Sequence, residues 1–204
     1  FYQTPQMFDY GEKMKNIFTS AFLISSLSIS TTGFSWGQTA HQMVNKVAIS
    51  MVNNQDAQKF LKANQKEVVY FASVPDVVWK SGPSAELEKP LHWFEVDGYL
   101  SHNMGEAIAD LLFGPAKDQL GVDVTTKYGM AMWRTSSLFQ KLIQALKAKD
   151  WTSALQIGGV MGHYVGDMTQ PMHATTDYDG QSINKPGIHK YYETTLVDNL
   201  SQDS

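Results

Sequence analysis

Apolar residues recur at the spacing of one helix face along most of this chain of 204 residues. One such pattern runs through 151–168, where residues 150–153 offer a cap and Pro171 closes or kinks the helix. Helices are predicted at 41–51, with another turn beginning near 55–60, and at 128–147, 151–168 and 189–199. Signals for strands are few and are confined to 91–96 and 122–126. We therefore predict an all-α protein that folds as a single compact multi-helix domain.

Two segments between these helices have the composition of loops. Residues 81–90 and 177–187 are rich in Pro, Gly, Ser or Asn, and neither accompanies a change of composition that would mark a domain boundary. Trp79, Trp133 and Trp151 are predicted to lie in the core.

Composition limits the chemistry that the chain can perform. The chain has no Cys, which excludes thiolate nucleophiles, cysteine zinc sites and iron–sulfur clusters. A net charge of −4 argues against a protein that binds duplex nucleic acid through its phosphates, although it does not exclude a nuclease. A chain of this length buries a core without a structural metal, so any metal here is expected to be functional and to be bound by His, Asp, Glu or main chain.

The N-terminal part has the pattern of a secretory signal peptide at 14–35. Met14 and Lys15 begin a short basic region, and 17–29 is an apolar, serine-rich run. The alternative is a membrane anchor, but a span needs about 20 apolar residues and this run is shorter.

Cleavage after Ser35 would make Trp36 the first residue of the mature protein. We predict two parts of the chain, namely upstream sequence plus signal peptide at 1–35 and a folded domain at 36–204, with 1–13 lying ahead of the true start. The protein is expected to be secreted or periplasmic.

Two pairs of a histidine and an acid occur at i and i+4. His163 and Asp167 form the first pair, His189 and Glu193 the second, and His173 lies between them. Residues four apart on a helix are about 5–6 Å apart on one face, close enough to bind one metal ion. A single pair is more often a surface hydrogen bond, but two pairs near a third histidine favour zinc, which imidazole and carboxylate groups suit.

A catalytic zinc site has three protein ligands and one open position. His173, His189 and Glu193 make one such set, whereas the first pair needs partners from elsewhere. His92 and Asp76 are the candidates, and the alternatives for them are a core histidine and a helix cap.

The order of these residues resembles the superfamily of trinuclear zinc phosphodiesterases, which contains zinc-dependent phospholipases C and single-strand-specific nucleases. The resemblance covers essentially the whole mature chain, from Trp36 to about Asn199. The matching segments are W-G-Q-T-A-H (36–41), P-D (75–76), L-H (91–92), H-Y-V-G-D-M-T-Q-P-M-H (163–173) and H-K-Y-Y-E (189–193).

The resemblance implies three zinc ions in a cleft between helices. Of a close pair of ions, one is expected to be held by Asp76, His92 and His163 and the other by His41 and Trp36, with Asp167 bridging them. The third ion is expected to take His173, His189 and Glu193. Asp76 and Asp167 are the candidate catalytic residues. Trp36 would bind through its freed α-amino nitrogen and its carbonyl oxygen, so the uncleaved precursor is expected to be inactive.

The activity implied is hydrolysis of a phosphate ester, with a hydroxide that bridges two zinc ions as the nucleophile. Two zinc ions about 3.5–4 Å apart lower the pKa of a shared water towards neutrality, and the third steadies the leaving oxygen. No nucleophilic side chain is needed.

The chain combines features of two branches of the superfamily. The short spacing from Trp36 to His41 is that of the nucleases, whereas Glu193 and the short loop between His173 and His189 are those of the phospholipases C. We favour a monomeric phospholipase C that acts on phospholipid. The alternative is a single-strand-specific endonuclease or 3′-nucleotidase that acts on single-stranded nucleic acid or nucleotides, and a more remote one is a secreted zinc-storage protein.

The C-terminus lies close to the last predicted ligand. The chain ends at Ser204, soon after Glu193, whereas members of the superfamily usually continue through more helix. A truncated C-terminus is therefore one interpretation.

Overall fold

A computed structural model of the protein describes residues 37–102, 118 and 120–202. These residues are mainly helical, and no strand occurs among them. The predicted all-α fold is confirmed. The upstream sequence, the signal peptide and Trp36 lie outside the described residues, so the predictions about them remain predictions.

The helices follow one another with short connections. In chain order the α-helices are α1 (Gln38–Ser50), α2 (Gln55–Ala63), α3 (Gln65–Phe71), α4 (Ala85–Glu88), α5 (Val96–Leu100), α6 (Val122–Tyr128), α7 (Ala131–Lys147), α8 (Trp151–Met168), α9 (Ile188–Lys190) and α10 (Val197–Gln202). Two π-helical turns lie at Pro75–Trp79 and Tyr191–Leu196, and 3₁₀ turns lie at Lys89–Leu91, Pro171–His173 and Gln181–Ile183.

Helix α8 begins and ends where the sequence predicts. The carboxylate of Asp150 accepts a hydrogen bond from the N–H of Ser153 at 3.1 Å, which satisfies a free donor of the first turn. The helix ends at Met168, and Gln170 takes the extended conformation that a residue before proline prefers.

Helix α8 is the centre of the fold and packs against α1, α3 and α7. One core cluster joins it to α7 and to the first π turn through Leu138, Val160, Tyr164, Trp79 and Val74. These side chains are apolar or aromatic and at most 6% exposed, so α8 is anchored along most of its length.

A second core cluster holds the segment that follows residue 92. Tyr99, Tyr128 and Trp133 are buried together, and the ring of Phe94 stacks on Tyr99 with centroids 4.7 Å apart. Trp79 and Trp133 therefore lie in the core as predicted, but the prediction for Trp151 is wrong.

Trp151 is 48% exposed because it lies in the first turn of α8, beyond the packed part of that helix. Its indole contacts Phe60 of α2 at a centroid distance of 5.5 Å.

Two predictions from local composition are also wrong. Residues 122–126 form a helix rather than extended chain, because Val124 packs against the cluster of Tyr99, Tyr128 and Trp133 and this tertiary packing overrides β propensity. The predicted loop at 81–90 contains α4 and part of a 3₁₀ turn. Among the described residues, no helix combines the length and the apolar character required to cross a membrane.

Candidate metal centre

The eight predicted ligands that lie within the described residues all come together in the fold. They form three groups in which one ligand atom per residue lies within 4.8 Å of the others. The groups are His41, Asp76 and His163; His92, His163 and Asp167; and His173, His189 and Glu193. Five of the six histidines belong to these groups, whereas His102 is exposed and lies outside them.

The middle of the centre is built on α8. His163 and Asp167 lie one turn apart and are fully buried, with His163 Nε2 3.2 Å from Asp167 Oδ2. The other ring nitrogen of His163 donates to the carbonyl oxygen of Ala72 at 2.8 Å. This bond turns Nε2 of His163 towards the ligand cluster.

His41 reaches the same point from α1. Its ring stacks on that of His163 with centroids 3.7 Å apart, and its Nε2 lies 3.5 Å from Asp167 Oδ1 and 3.7 Å from Asp76 Oδ2. Neither ring nitrogen has a hydrogen-bond partner among the described residues, although the side chain is buried. Burial is the largest cause that lowers the pKa of His41, to about 3, so the imidazole is neutral at pH 7 and has a free lone pair.

Asp76 enters from the first π turn. Its Oδ1 lies 2.9 Å from Lys80 Nζ, 3.5 Å from His92 Nδ1 and 3.8 Å from His163 Nε2. Burial alone would raise the pKa of Asp76, but His163, Lys80 and His92 outweigh it and hold the pKa below the usual value. Asp76 lies inside this turn, whose cap position is taken by Val74, so the helix-cap alternative does not describe it.

His92 completes the buried part of the centre. Its Nδ1 lies 2.9 Å from Asp167 Oδ2 and 3.0 Å from His163 Nε2. Two imidazole nitrogens this close to each other and to one carboxylate form the arrangement that a shared cation would stabilise. His92 is buried, but among polar groups rather than as a core histidine.

The third group lies nearer to solvent. His173 Nε2 lies 3.2 Å from His189 Nε2 and 3.2 Å from Glu193 Oε1, and His189 Nε2 lies 2.9 Å from the same oxygen. His173 Nδ1 donates to the carbonyl oxygen of His92 at 2.7 Å, which couples this group to the buried ones. The side chain of His189 is 19% exposed, so this is where solvent reaches the centre.

The charge and the free atoms of the centre both favour cations. Asp76, Asp167 and Glu193 bring three buried carboxylates together, a costly arrangement unless positive charge compensates it. Within the part of the chain that the structure describes, Oδ1 of Asp167 and Oε2 of Glu193 are buried without a hydrogen-bond partner, as are both ring nitrogens of His41. The donor set therefore suits zinc, which binds imidazole nitrogen and carboxylate oxygen.

Sequence reasoning missed several residues that hold the ligands in place. Gln170 is buried, donates its side-chain N–H to Glu193 and accepts from the N–H of Met172. A signal existed for Gln170, because it belongs to the segment 163–173 that carries the resemblance. The only sequence signal for Lys80, the ion-pair partner of Asp76, is its i+4 spacing from that residue.

The division of the buried ligands between two ions stays a prediction. His163 belongs to two of the three groups, and Asp76 is grouped with His41 rather than with His92. Trp36, the ligand predicted to accompany His41, lies outside the described residues.

The part of the chain that forms this centre matches a known protein family. The model of a protein family described as zinc-dependent phospholipase C matches residues 40–203, a stretch that contains all eight ligand candidates described above. No curated protein and no solved structure matches the chain.

Proposed function

This chain belongs to the zinc-dependent phospholipase C family, and on that premise we propose that it is a secreted zinc-dependent phosphoric ester hydrolase, more narrowly a phospholipase C. Its substrate would be a phospholipid, hydrolysed at the phosphate ester. The observation that carries the proposal is the convergence of eight histidines and acids from five separate parts of the chain on one mostly buried centre.

The proposed zinc ligands are those that the family resemblance implies. Asp76, His92 and His163 would hold one ion and His41 and Trp36 a second, with Asp167 shared between the two. His173, His189 and Glu193 would hold the third. Zinc ions bound in this way would lower the pKa of a water molecule towards neutrality and offset the negative charge of the phosphate ester.

The chain's own residues would orient the reactants and move protons. Asp76 keeps its carboxylate ionised beside Lys80, and its second oxygen, Oδ2, would accept a proton from the water that attacks phosphorus. As the new P–O bond forms, the bond to the leaving oxygen breaks and that oxygen takes up a proton. His189, on the solvent side of the centre, marks the side from which substrate enters.

The proposal that Trp36 ligates zinc draws support from the residue that follows it. The N–H of Gly37 donates to the carbonyl oxygen of Glu193 at 3.1 Å, and Gly37 is buried. The first described residue of the chain is thus tied directly to a ligand residue of the centre.

Apolar side chains around His189 favour phospholipid over nucleic acid. Tyr178, Ile183, Ile188 and Tyr191 lie in the segment that carries this histidine and are 39–62% exposed. The exposed aliphatic side chains of Ile183 and Ile188 suit an acyl interface, whereas single-stranded nucleic acid is bound by a basic groove with aromatic side chains on which the bases stack. The nuclease alternative depends on the W-G-x-x-x-H spacing at 36–41.

Turnover on two classes of substrate tests the proposal. Protein that begins at Trp36 and is loaded with zinc should hydrolyse phosphatidylcholine micelles faster than single-stranded DNA or RNA, and a chelator should abolish the activity. Faster hydrolysis of nucleic acid would support the nuclease instead. No turnover of either substrate by folded, zinc-loaded protein would overturn the assignment as a hydrolase.

A matched pair of histidine variants provides the control. His163→Asn should lower turnover by roughly three orders of magnitude, because it removes a ligand that contributes several kcal/mol of transition-state stabilisation through zinc. His102→Asn changes an exposed histidine outside the centre and should keep the activity of the unchanged protein.

A further inference from the structure

Glu88 is a buried acid that does not belong to the ligand groups. It is the last residue of α4 and is 7% exposed, although glutamate is rarely buried without partners. Its Oε1 accepts a hydrogen bond from the hydroxyl of Tyr164 and lies 3.4 Å from Nε2 of His92. The acid therefore lies directly behind one of the candidate zinc ligands.

The carboxylate of Glu88 is also attracted by the positive charge of the Arg134 guanidinium. The guanidinium carbon of Arg134 lies 5.2 Å from the centre of the Tyr164 ring. Arg134, Tyr164, Glu88 and His92 thus form one connected polar network beneath the metal centre.

The two ring nitrogens of His92 have different surroundings. Nδ1 faces Asp167 and His163 at 2.9 and 3.0 Å. Nε2 is buried and has no close hydrogen-bond partner among the described residues, and the acid that faces it is Glu88, at a distance somewhat longer than an ordinary hydrogen bond. A proton on Nε2 leaves the lone pair of Nδ1 free for a metal ion.

Two other histidines of the centre are oriented by neutral groups. His163 and His173 donate Nδ1–H to the carbonyl oxygens of Ala72 and His92. Only in His92, among these three, is the acceptor behind the ring a carboxylate. A carboxylate makes the histidine in front of it more basic and a stronger ligand than a carbonyl does.

We propose that Glu88 is a positioning residue that holds the Nε2–H of His92, so that Nδ1 of His92 is presented to zinc as a strengthened ligand. This inference rests on the proposed function, because it takes His92 to be a zinc ligand. Zinc bound at Nδ1 would make Nε2–H more acidic and shorten its contact with the carboxylate.

Zinc affinity of matched variants tests this role. Glu88→Met keeps the length of the side chain but cannot accept a hydrogen bond, and it should weaken the zinc site that includes His92 about 10- to 100-fold in competition with a chelator. Glu88→Gln, which retains an acceptor oxygen, should recover part of the loss. The control is Glu86→Met on the same helix, whose side chain is 85% exposed and which should bind zinc as the unchanged protein does.

Spectra separate positioning from a purely structural role. Cobalt substituted for zinc should show an altered visible absorption band in Glu88→Met, while the site of His173, His189 and Glu193 keeps its affinity. In the unchanged zinc-loaded protein, nitrogen NMR should show His92 bound through Nδ1, with a low-field proton on Nε2. This second measurement does not depend on whether the variant folds.

Each outcome is informative about one claim. A loss smaller than about fivefold for Glu88→Met, well below the range expected for such a residue, or zinc bound to His92 through Nε2, would overturn the role of Glu88. If the unchanged protein binds no zinc at all, the proposed function fails instead, and the two failures are therefore distinguishable.

Discussion

At the scale of single residues, the centre depends on side chains that orient ligands as much as on the ligands. Gln170 holds Glu193, Lys80 pairs with Asp76, and backbone carbonyls fix the rings of His163 and His173. Each of these bonds decides which atom of a ligand faces the cluster. The candidate ligands are therefore already oriented towards one another in the described structure.

Glu95 gives a prediction about stability and pH. It is 9% exposed, and burial, helped by the nearby charge of Asp97 and opposed by Lys127, raises its pKa from 4.5 to about 7. Between these values the folded state binds more protons than the unfolded state, so this group makes the protein less stable as pH rises towards 7.

Glu95→Gln should remove that part of the pH dependence. The free energy of unfolding by urea is measured for both proteins at pH 5 and pH 8. The stability of the variant relative to that of the unchanged protein should be higher at pH 8 than at pH 5. The exposed Glu86→Gln is the control and should show the same difference at both pH values. An equal effect of Glu95→Gln at the two pH values would contradict the raised pKa.

The order and types of the ligand residues were visible in the sequence, because i, i+4 pairs and a specific motif are local features. The partners of those ligands were not. Glu88 and Tyr164 are 76 residues apart and meet only when α4 packs near α8. A buried carboxylate in a segment that has the composition of a loop gives no local signal of its burial.

At the scale of helices, α8 carries the centre and is held closely by small residues. A Cβ on Gly162 would lie 1.9 Å from Oδ1 of Asn45 in α1. The amide of Asn45 donates to the carbonyl oxygens of Val68 and Gly159 at 3.2 and 2.9 Å, which ties α1, α3 and α8 together. The position of His163, next to Gly162, depends on this contact.

Two alanine substitutions on α8 test this packing. Gly162→Ala should lower the free energy of unfolding by about 1–3 kcal/mol, because the added methyl displaces Asn45. Gly158→Ala, where a Cβ meets nothing within 4 Å, should instead raise it by about 0.5–1 kcal/mol through helix propensity. Unfolding at one fixed zinc concentration measures both. Equal effects of the two substitutions would contradict the close approach of the helices.

Prediction of the helices succeeded where apolar spacing is strong and failed where composition misleads. Helix α8 was predicted with a cap among residues 150–153, since amphipathic spacing and capping residues agree there, and the structure shows that the cap is Asp150. Helix α6 was missed because Val122, Val124 and Thr125 favour strands, and α4 because 81–90 is rich in Pro and Gly. In both segments, contacts that form only in the folded protein outweigh the secondary-structure preferences of the individual residues.

At the scale of the whole molecule, the centre connects the first described helix to the last helical stretch. Its ligands come from α1, the first π turn, the segment after Lys89–Leu91, α8 with its following turn, and the stretch that begins with α9. Ions bound by these residues would crosslink the fold. Zinc that binds only the folded state stabilises it, by about 4 kcal/mol when free zinc is a thousandfold above its dissociation constant.

Processing at the N-terminus should control activity without controlling folding. A form that keeps one Met ahead of Trp36 should lose most turnover of phosphatidylcholine, because an amide nitrogen has no free lone pair for zinc. Its helical content, measured by circular dichroism, should match that of the form that begins at Trp36. Full turnover by the extended form would contradict the α-amino ligand.

The zinc content of the protein that begins at Trp36 tests the central claim most directly. After removal of free metal, mass spectrometry should find three zinc ions per chain, and one per chain in Asp167→Asn, since loss of the bridge releases the buried pair. The exposed control Asp56→Asn should keep three. A folded protein that retains no zinc, or an Asp167→Asn variant that keeps all of it, would contradict a zinc centre built on these residues.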